Sequence, residues 1–551
     1  MGLGRAALER GAWRDARRAF EQALRREVTP EALEGLGMAS WWLDDAEAVF
    51  DCRERAYALY LDHHDQIAAA RLAIWIGWDY GSFRGEQAVA HGWLRRARQL
   101  LDGRADCTER AWLAIREGNG ALFDDADPSR ARACADEAIR VGRSIGDIDV
   151  EMIGRALAGF ASVIAGDVAA GLRELDGVNA AVLAGELSDP VAIALACCYL
   201  VTACERVRDT ERAVQWCNRL KGFCRRWGLR PLMAVCRTQY ASVCVWRGAW
   251  SEAERELTRA NEEFAASRPA LTADGLARLA ELRRRQGRLD EARALLDQTG
   301  SYVPGLVVRA AIALDTDDAQ EAVRLAERGL RHLPLQNRAE RAPLVEIVAR
   351  AHAAAGALDH ARALAAELKE TARIAGTAPL TAATSATDGA IAAAAGDHES
   401  ARRHLEDAVD VFGRIGAPFE EARARVDLAM SLAALGRKRA AVDELSLAIA
   451  RFESMAARRD LARAHDVVAR IGGPKVRVAA TAGTHNAGAK LTRREIEVVR
   501  MIAAGHSNAA IARRLFISAH TVHRHVANVF TKLDVPTRSA AVARAATLGL
   551  L

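Results

Sequence analysis

At 551 residues the chain is too long for one ordinary domain, and a composition half hydrophobic and about a quarter charged excludes a fibrous or disordered protein. No run of eighteen apolar residues could span a membrane, and MGLGRAALERGAWRDARRAF at the start lacks the apolar centre of a signal peptide, so no membrane contact and a cytoplasmic location are expected. The net charge of +5 is uneven: residues 490–551 hold ten Lys and Arg against three acids, or +7, and the other 489 residues sum to −2, the footprint of a nucleic-acid-binding module on a near-neutral body.

From the N-terminus, one pattern recurs: a Gly, a polar or aromatic pair, then a helix with small residues at close contacts. It reads RGAWRDARRAFEQAL at Gly11, RGAWSEAERELTRA at Gly248 and QGRLDEARALLDQT at Gly287. It returns at Gly356, Gly396 and Gly436, forty residues apart, with weaker copies at Gly166 and Asp209. The Gly closes one helix and the next begins at once, so each unit is a pair of antiparallel helices. One such pair cannot bury its apolar face, but a stack can, giving a superhelix with a concave inside. No strand-like alternation appears in this stretch.

The repeats resemble the tetratricopeptide type, in the longer variant of MalT-like regulators, over roughly residues 1–470. The phosphate-cradling G-x-x-x-x-G-K-[ST] loop of ATP-dependent relatives is missing, so no ATPase domain is expected.

Within the repeats three features invite a functional reading. All eleven Trp lie in the first 250 residues, densest at Trp41-Trp42 and at Trp75 with Trp78. Thick packing accounts for them, and an aromatic-lined ligand groove is the sharper alternative. Seven of ten Cys fall between Cys197 and Cys244, spaced about two helical turns apart in pairs; buried small residues explain them better than a redox or metal sensor. Asp62-His63-His64-Asp65 falls in a turn and lacks helical ligand spacing, so no metal is expected.

Residues 471–490, rich in Gly, Ala and Thr, read as a flexible linker, and 491–551 as a separate module of four helices. Thr492 and Glu495 form a T-x-x-E capping box ahead of IEVVRMIAA. Gly505 stops that helix, Ser507 caps NAAIARRL, Phe516-Ile517 turn, and Ser518 caps AHTVHRHVANVFTKL. A final helix, SAAVARAATLG, follows Pro536. The fold class is therefore all-α, repeat superhelix plus helix-turn-helix.

The run from Leu491 to the C-terminus resembles the LuxR/NarL-type DNA-binding domain throughout, including Leu491-Thr492, Glu495, Gly505, Ile511-Ala512, Thr521-Val522 and Lys532-Leu533. The resemblance implies double-stranded DNA as partner, with contacts from Ser518, Thr521, His523, Arg524, Asn528, Lys532 and Arg538. It implies Val522, Val526, Val529 and Leu533 facing the core, and a homodimer through Ala541, Arg544 and Ala545 of the last helix. Two positions depart from the pattern: His523 and Ala509 stand where Lys is usual, which weakens phosphate attraction at neutral pH. The expected function is transcriptional regulation, with the repeats receiving a protein or small-molecule effector. The alternative is a repeat scaffold for protein assembly with weak or lost DNA binding. No nucleophile, base and oxyanion set converges, so neither catalysis nor a cofactor is expected.

Overall fold

The computed structural model describes residues 1–227, 230–472 and 491–550 apart from single positions at 505, 507, 518, 534, 536 and 537; side chains at 220–234, 236 and several positions in the C-terminal helices lie outside that description. Among the described residues every regular element is helical. The expected linker at 471–490 falls almost wholly outside them.

The helices start where the sequence caps them. Thr29 accepts from Ala32 N at 3.3 Å with Pro30 in the first turn, and Asp45 and Asp65 accept from Ala48 N and Ala68 N at 3.2 and 3.0 Å. They stop at left-handed residues. Gly11, Gly248, Gly287, Gly356, Gly396 and Gly436 all have φ between 70° and 80°. In the copy near Asp209 the left-handed residue is Arg208 (φ 58°), and Asp209 caps the next helix by accepting from Arg212 N at 3.1 Å.

Each hairpin has one helix walled in by neighbours and one outside. Ile148–Ala165 is buried around most of its circumference, whereas Ala319–Arg331 buries Ala322, Leu325, Ala326 and Gly329, the i, i+3, i+4, i+7 stripe of a one-sided helix. The small residues let the helices approach closely.

The array winds tightly enough to touch itself. Ile148–Ala165 packs on Arg338–Ala354, Val168–Ala184 on Leu358–Ala375, and Thr272–Gln286 on Arg458–Arg470, each ten α-helices further on. Ion pairs cross the same seam: Arg206 to Glu340 and Arg208 to Glu346, both at 3.2 Å. Glycine is required twice over at two of these contacts. A Cβ on Gly287 (φ 78°) would lie 2.9 Å from Arg459 N, and one on Gly248 (φ 75°) would lie 2.9 Å from Pro418 Cγ. The first helices of the hairpins line the interior, which holds a cavity of about 660 Å³.

Candidate nucleic-acid interface

The C-terminal module comprises helices Arg493–Ala503, Asn508–Leu515, Ala519–Leu533 and Arg538–Thr547. Its first helix begins with the capping box read from the sequence. Glu495 N donates to Thr492 Oγ1 at 3.3 Å, and Thr492 N donates back to Glu495 Oε2 at 2.7 Å. Glu495 is 2% exposed, and Lys532 Nζ, near the end of the third helix, donates to its two oxygens at 2.7 and 3.0 Å. Burial alone would push the Glu495 carboxyl up, but Lys532 and the Thr492 bonds outweigh it and hold the group below its ordinary value. Two apolar clusters complete the module. One joins Val498, Ile502, Ile511, Val522 and Val526, the other Val499, Val529, Leu533, Ala541 and Ala545. Every residue in both lies between Leu491 and Leu550, so the module has a core of its own.

Residues 489–545 match the family described as "Bacterial regulatory proteins, luxR family". The C-terminal module is a luxR-family domain. It is 46% identical over 59 residues to the putative HTH-type transcriptional regulator Rv0890c of Mycobacterium tuberculosis, covering 11% of this chain and 7% of that protein. It is 45% identical over 51 residues to the transcriptional regulatory protein LiaR of Bacillus subtilis, covering 9% and 24%. The chain thus matches less than a quarter of the length of either relative. Among solved structures it is similar to the APC/C hetero-tetramer Cut9-Hcn1 (TM-score 0.44, 13% identity, 85% of this chain and 95% of that one). It is also similar to the apo quorum sensor NprR of B. thuringiensis (TM-score 0.39, 14% identity, 62% and 97%).

In the luxR-family domain the third helix turns Val522, Val526, Val529 and Leu533 inward, as expected, and leaves Thr521 half-buried and Asn528 exposed. Ser518 and the side chains of His523, Arg524 and Arg538 lie outside the described residues. Lys532 has a structural role that the sequence does not announce. Its ammonium donates to a buried carboxylate on the first helix, so its position fixes the third helix to the first.

The dimer face needs a correction. Ala541 and Ala545 are both 0% exposed in the second cluster, because the last helix must cover Val499 and Val529. Arg544 and Leu548 point outward instead. Arg513 and Arg514, exposed at the end of the second helix beside the turn, were missed as candidates for phosphate contact. The adjacent pair of arginines was the available signal.

In the repeat array Asp62-His63-His64-Asp65 is an exposed turn, with His64 left-handed (φ 60°) and Asp65 used as a cap. No metal-binding cluster occurs among the described residues. Cys197, Cys204, Cys217 and Cys244 are buried and not disulfide-bonded, and Cys224 and Cys236 lie outside the described side chains. Burial pushes the Cys204 thiol well up and the Cys52 thiol to about 11, the opposite of a reactive sensor. No described helix is long and apolar enough to cross a membrane.

Proposed function

We propose that the protein is a sequence-specific DNA-binding transcriptional regulator. In this reading the luxR-family domain lays its third helix in the major groove, and the helical array, residues 1–470, receives the signal through a linker at 471–490. The observation that carries it is a self-contained domain of DNA-reading type with a +7 balance and exposed Arg493, Arg500, Arg513, Arg514 and Arg544. Arg524 is assigned to a guanine edge, which a guanidinium reads with two hydrogen bonds, and Ser518, Thr521, His523, Asn528 and Arg538 to neighbouring bases and phosphates. Arg513 and Arg514 join the phosphate set, since the second helix of this motif crosses the backbone. The signal is a protein or small molecule held by the repeats. Two copies bind an inverted repeat through the Arg544 and Leu548 edge of the last helix.

The test is selection of duplexes from a random pool by the full chain. An enriched two-fold site is expected, and Arg524→Ala should blur one base position in each half. A folded chain that enriches no sequence would overturn the reading and leave a scaffold for protein assembly.

A further inference from the structure

Three arginines and a group of tryptophans of the array gather around two carboxylates, Asp79 and Asp44. Asp79 ends the helix Gln66–Asp79 and is fully buried. A π-helical turn, Tyr80–Arg84, follows it directly, a distortion frequent at functional sites. Arg53 Nη1 donates to Asp79 Oδ2 at 2.5 Å, and Arg268 Nε donates to Asp44 Oδ1 at 3.0 Å. Arg116 has no such carboxylate. It is 4% exposed, and its Nε and Nη1 find no acceptor. Its guanidinium carbon lies 3.2 Å from the centre of the Trp78 ring and 5.2 Å from that of Trp75. Arg53 lies 4.5 Å from the same Trp75 ring, and Arg268 4.6 Å from Trp41, which itself packs edge-on to Trp75.

Charge and hydrogen bonding point the same way. Three buried cations face Asp79 and Asp44, and Asp189 also acts on Arg116, but no carboxylate hydrogen-bonds the Arg116 guanidinium itself. Aromatic faces offset only part of the cost of drying an ion. Burial accordingly pulls Arg116 down to about 9, and it pushes Asp79 up to about 6 against the pull of the arginines. Arg53 Nη2, Arg268 Nη2, the indole nitrogens of Trp41 and Trp78, and Asn119 Nδ2 are further buried donors without acceptors. Asp79 Oδ1 is also buried without a partner, but the unpaired donors outnumber it; buried polar groups are ordinarily satisfied, so this surplus of donors calls for an acceptor from outside the chain.

We propose that this cluster binds a small organic monoanion, a carboxylate on a flat apolar body, with Arg116 as its anchor and Trp75 and Trp78 as its walls. The unpaired Nε and Nη1 of Arg116 select a single carboxylate, and the indole faces select the apolar body. The interior cavity reaches the same helix two turns further on, at Phe123. Arg116, Asn119 and Phe123 follow one another at i, i+3 and i+7 on one face of Thr108–Phe123, and Phe123 lines the 660 Å³ cavity. Tyr199 holds Asn119 in place by donating to its Oδ1 at 2.6 Å. As the seat of an effector the site rests on the regulator reading; as a binding site it does not.

The experiment titrates the full chain with benzoate, acetate, inorganic phosphate and chloride, by calorimetry and by tryptophan fluorescence. Benzoate is expected to saturate and to raise the melting temperature, acetate to bind at least about tenfold more weakly, and phosphate and chloride to have no effect. Arg116→Met should remove benzoate binding and melt higher than wild type without ligand, since an unpaired buried cation is gone. Arg116→Lys should keep part of the binding. No saturable benzoate binding below about 10 mM, or equal binding by Arg116→Met, overturns the proposal. So does a lower melting point for Arg116→Met, which marks a structural arginine, and so does an equal response to chloride, which marks an adventitious ion only. DNA is absent from this assay. Benzoate binding by a chain that selects no DNA would retain the site and remove the regulator, and the reverse result would do the opposite.

Discussion

Lys532→Met separates a structural ammonium from a phosphate clamp. The pair it breaks is dry at one end, with the Glu495 side chain 3% exposed, and half-wet at the other, with Lys532 27% exposed. Removing one partner of a fully buried pair costs about 3–5 kcal/mol. Here Glu495 keeps its bond from Thr492 N, and Lys532 already meets some water, so the cost falls to about 1–3 kcal/mol. For a domain of this size that lowers the melting temperature by about 4–24 °C. Because the domain has its own core, residues 485–551 can be melted alone and followed by circular dichroism.

The pH dependence fixes the cause. Glu495 is held below its ordinary value of 4.5 when folded, so it adds stability above that pH and loses it as pH falls through the folded value. Without Lys532 the burial effect prevails and the group would rise, so acid relieves the variant. The gap between wild type and Lys532→Met should therefore be widest at pH 7 and narrow below about pH 4.5. Equal melting at pH 7, with a flatter salt dependence of DNA binding, would show that Lys532 serves phosphate after all.

Other expectations follow from the same geometry. Ala541→Glu places a charge among Val499, Val529 and Leu533 and should unfold the domain at a cost above about 3 kcal/mol, seen as lost helical signal, whereas Arg544→Glu should keep the fold and disrupt only the two-site footprint. DNA affinity should fall steeply with salt, and Arg524→Ala should cost about 1–3 kcal/mol on the preferred site yet little on random DNA. A permanent cation at 523 should strengthen phosphate attraction, so His523→Lys should bind DNA more tightly than wild type and His523→Gln should not, measured by titration at neutral pH. A thiol reagent at pH 7.5 should leave Cys52 and Cys204 unmodified until the chain is unfolded.

Local chemistry was legible in the sequence, and long-range pairing was not. The forty-residue step and its glycines mark helix ends because a left-handed φ is a property of one residue, and the Thr492 and Glu495 cap spans a single turn. Lys532 meets Glu495 across 37 positions with no spacing rule to announce it, so an ordinary basic residue near a helix end read as a phosphate contact. The last helix, RSAAVARAAT, is too rich in alanine to mark a dry face, so the sequence does not distinguish buried Ala541 and Ala545 from exposed positions. Arg53, Arg116 and Arg268 belong to three different hairpins, and neither charge count nor periodicity brings them together. The tryptophans did give a partial signal, since their crowding at 41–42 and 75–78 falls where the guanidinium groups gather.

The contact between helices ten apart changes what a repeat is in this protein. In an open solenoid each hairpin answers only to its two neighbours, so hairpins can be gained or lost singly. Here Gly287 must meet Arg459, and Gly248 must meet Pro418, so inserting one hairpin between them would put every partner across the seam out of step. The smallest insertion or deletion that preserves the register is five hairpins, a whole circuit. Length variation among close relatives should therefore collect in loops and at the two ends of the array, and melting should be a single cooperative event rather than fraying from one end.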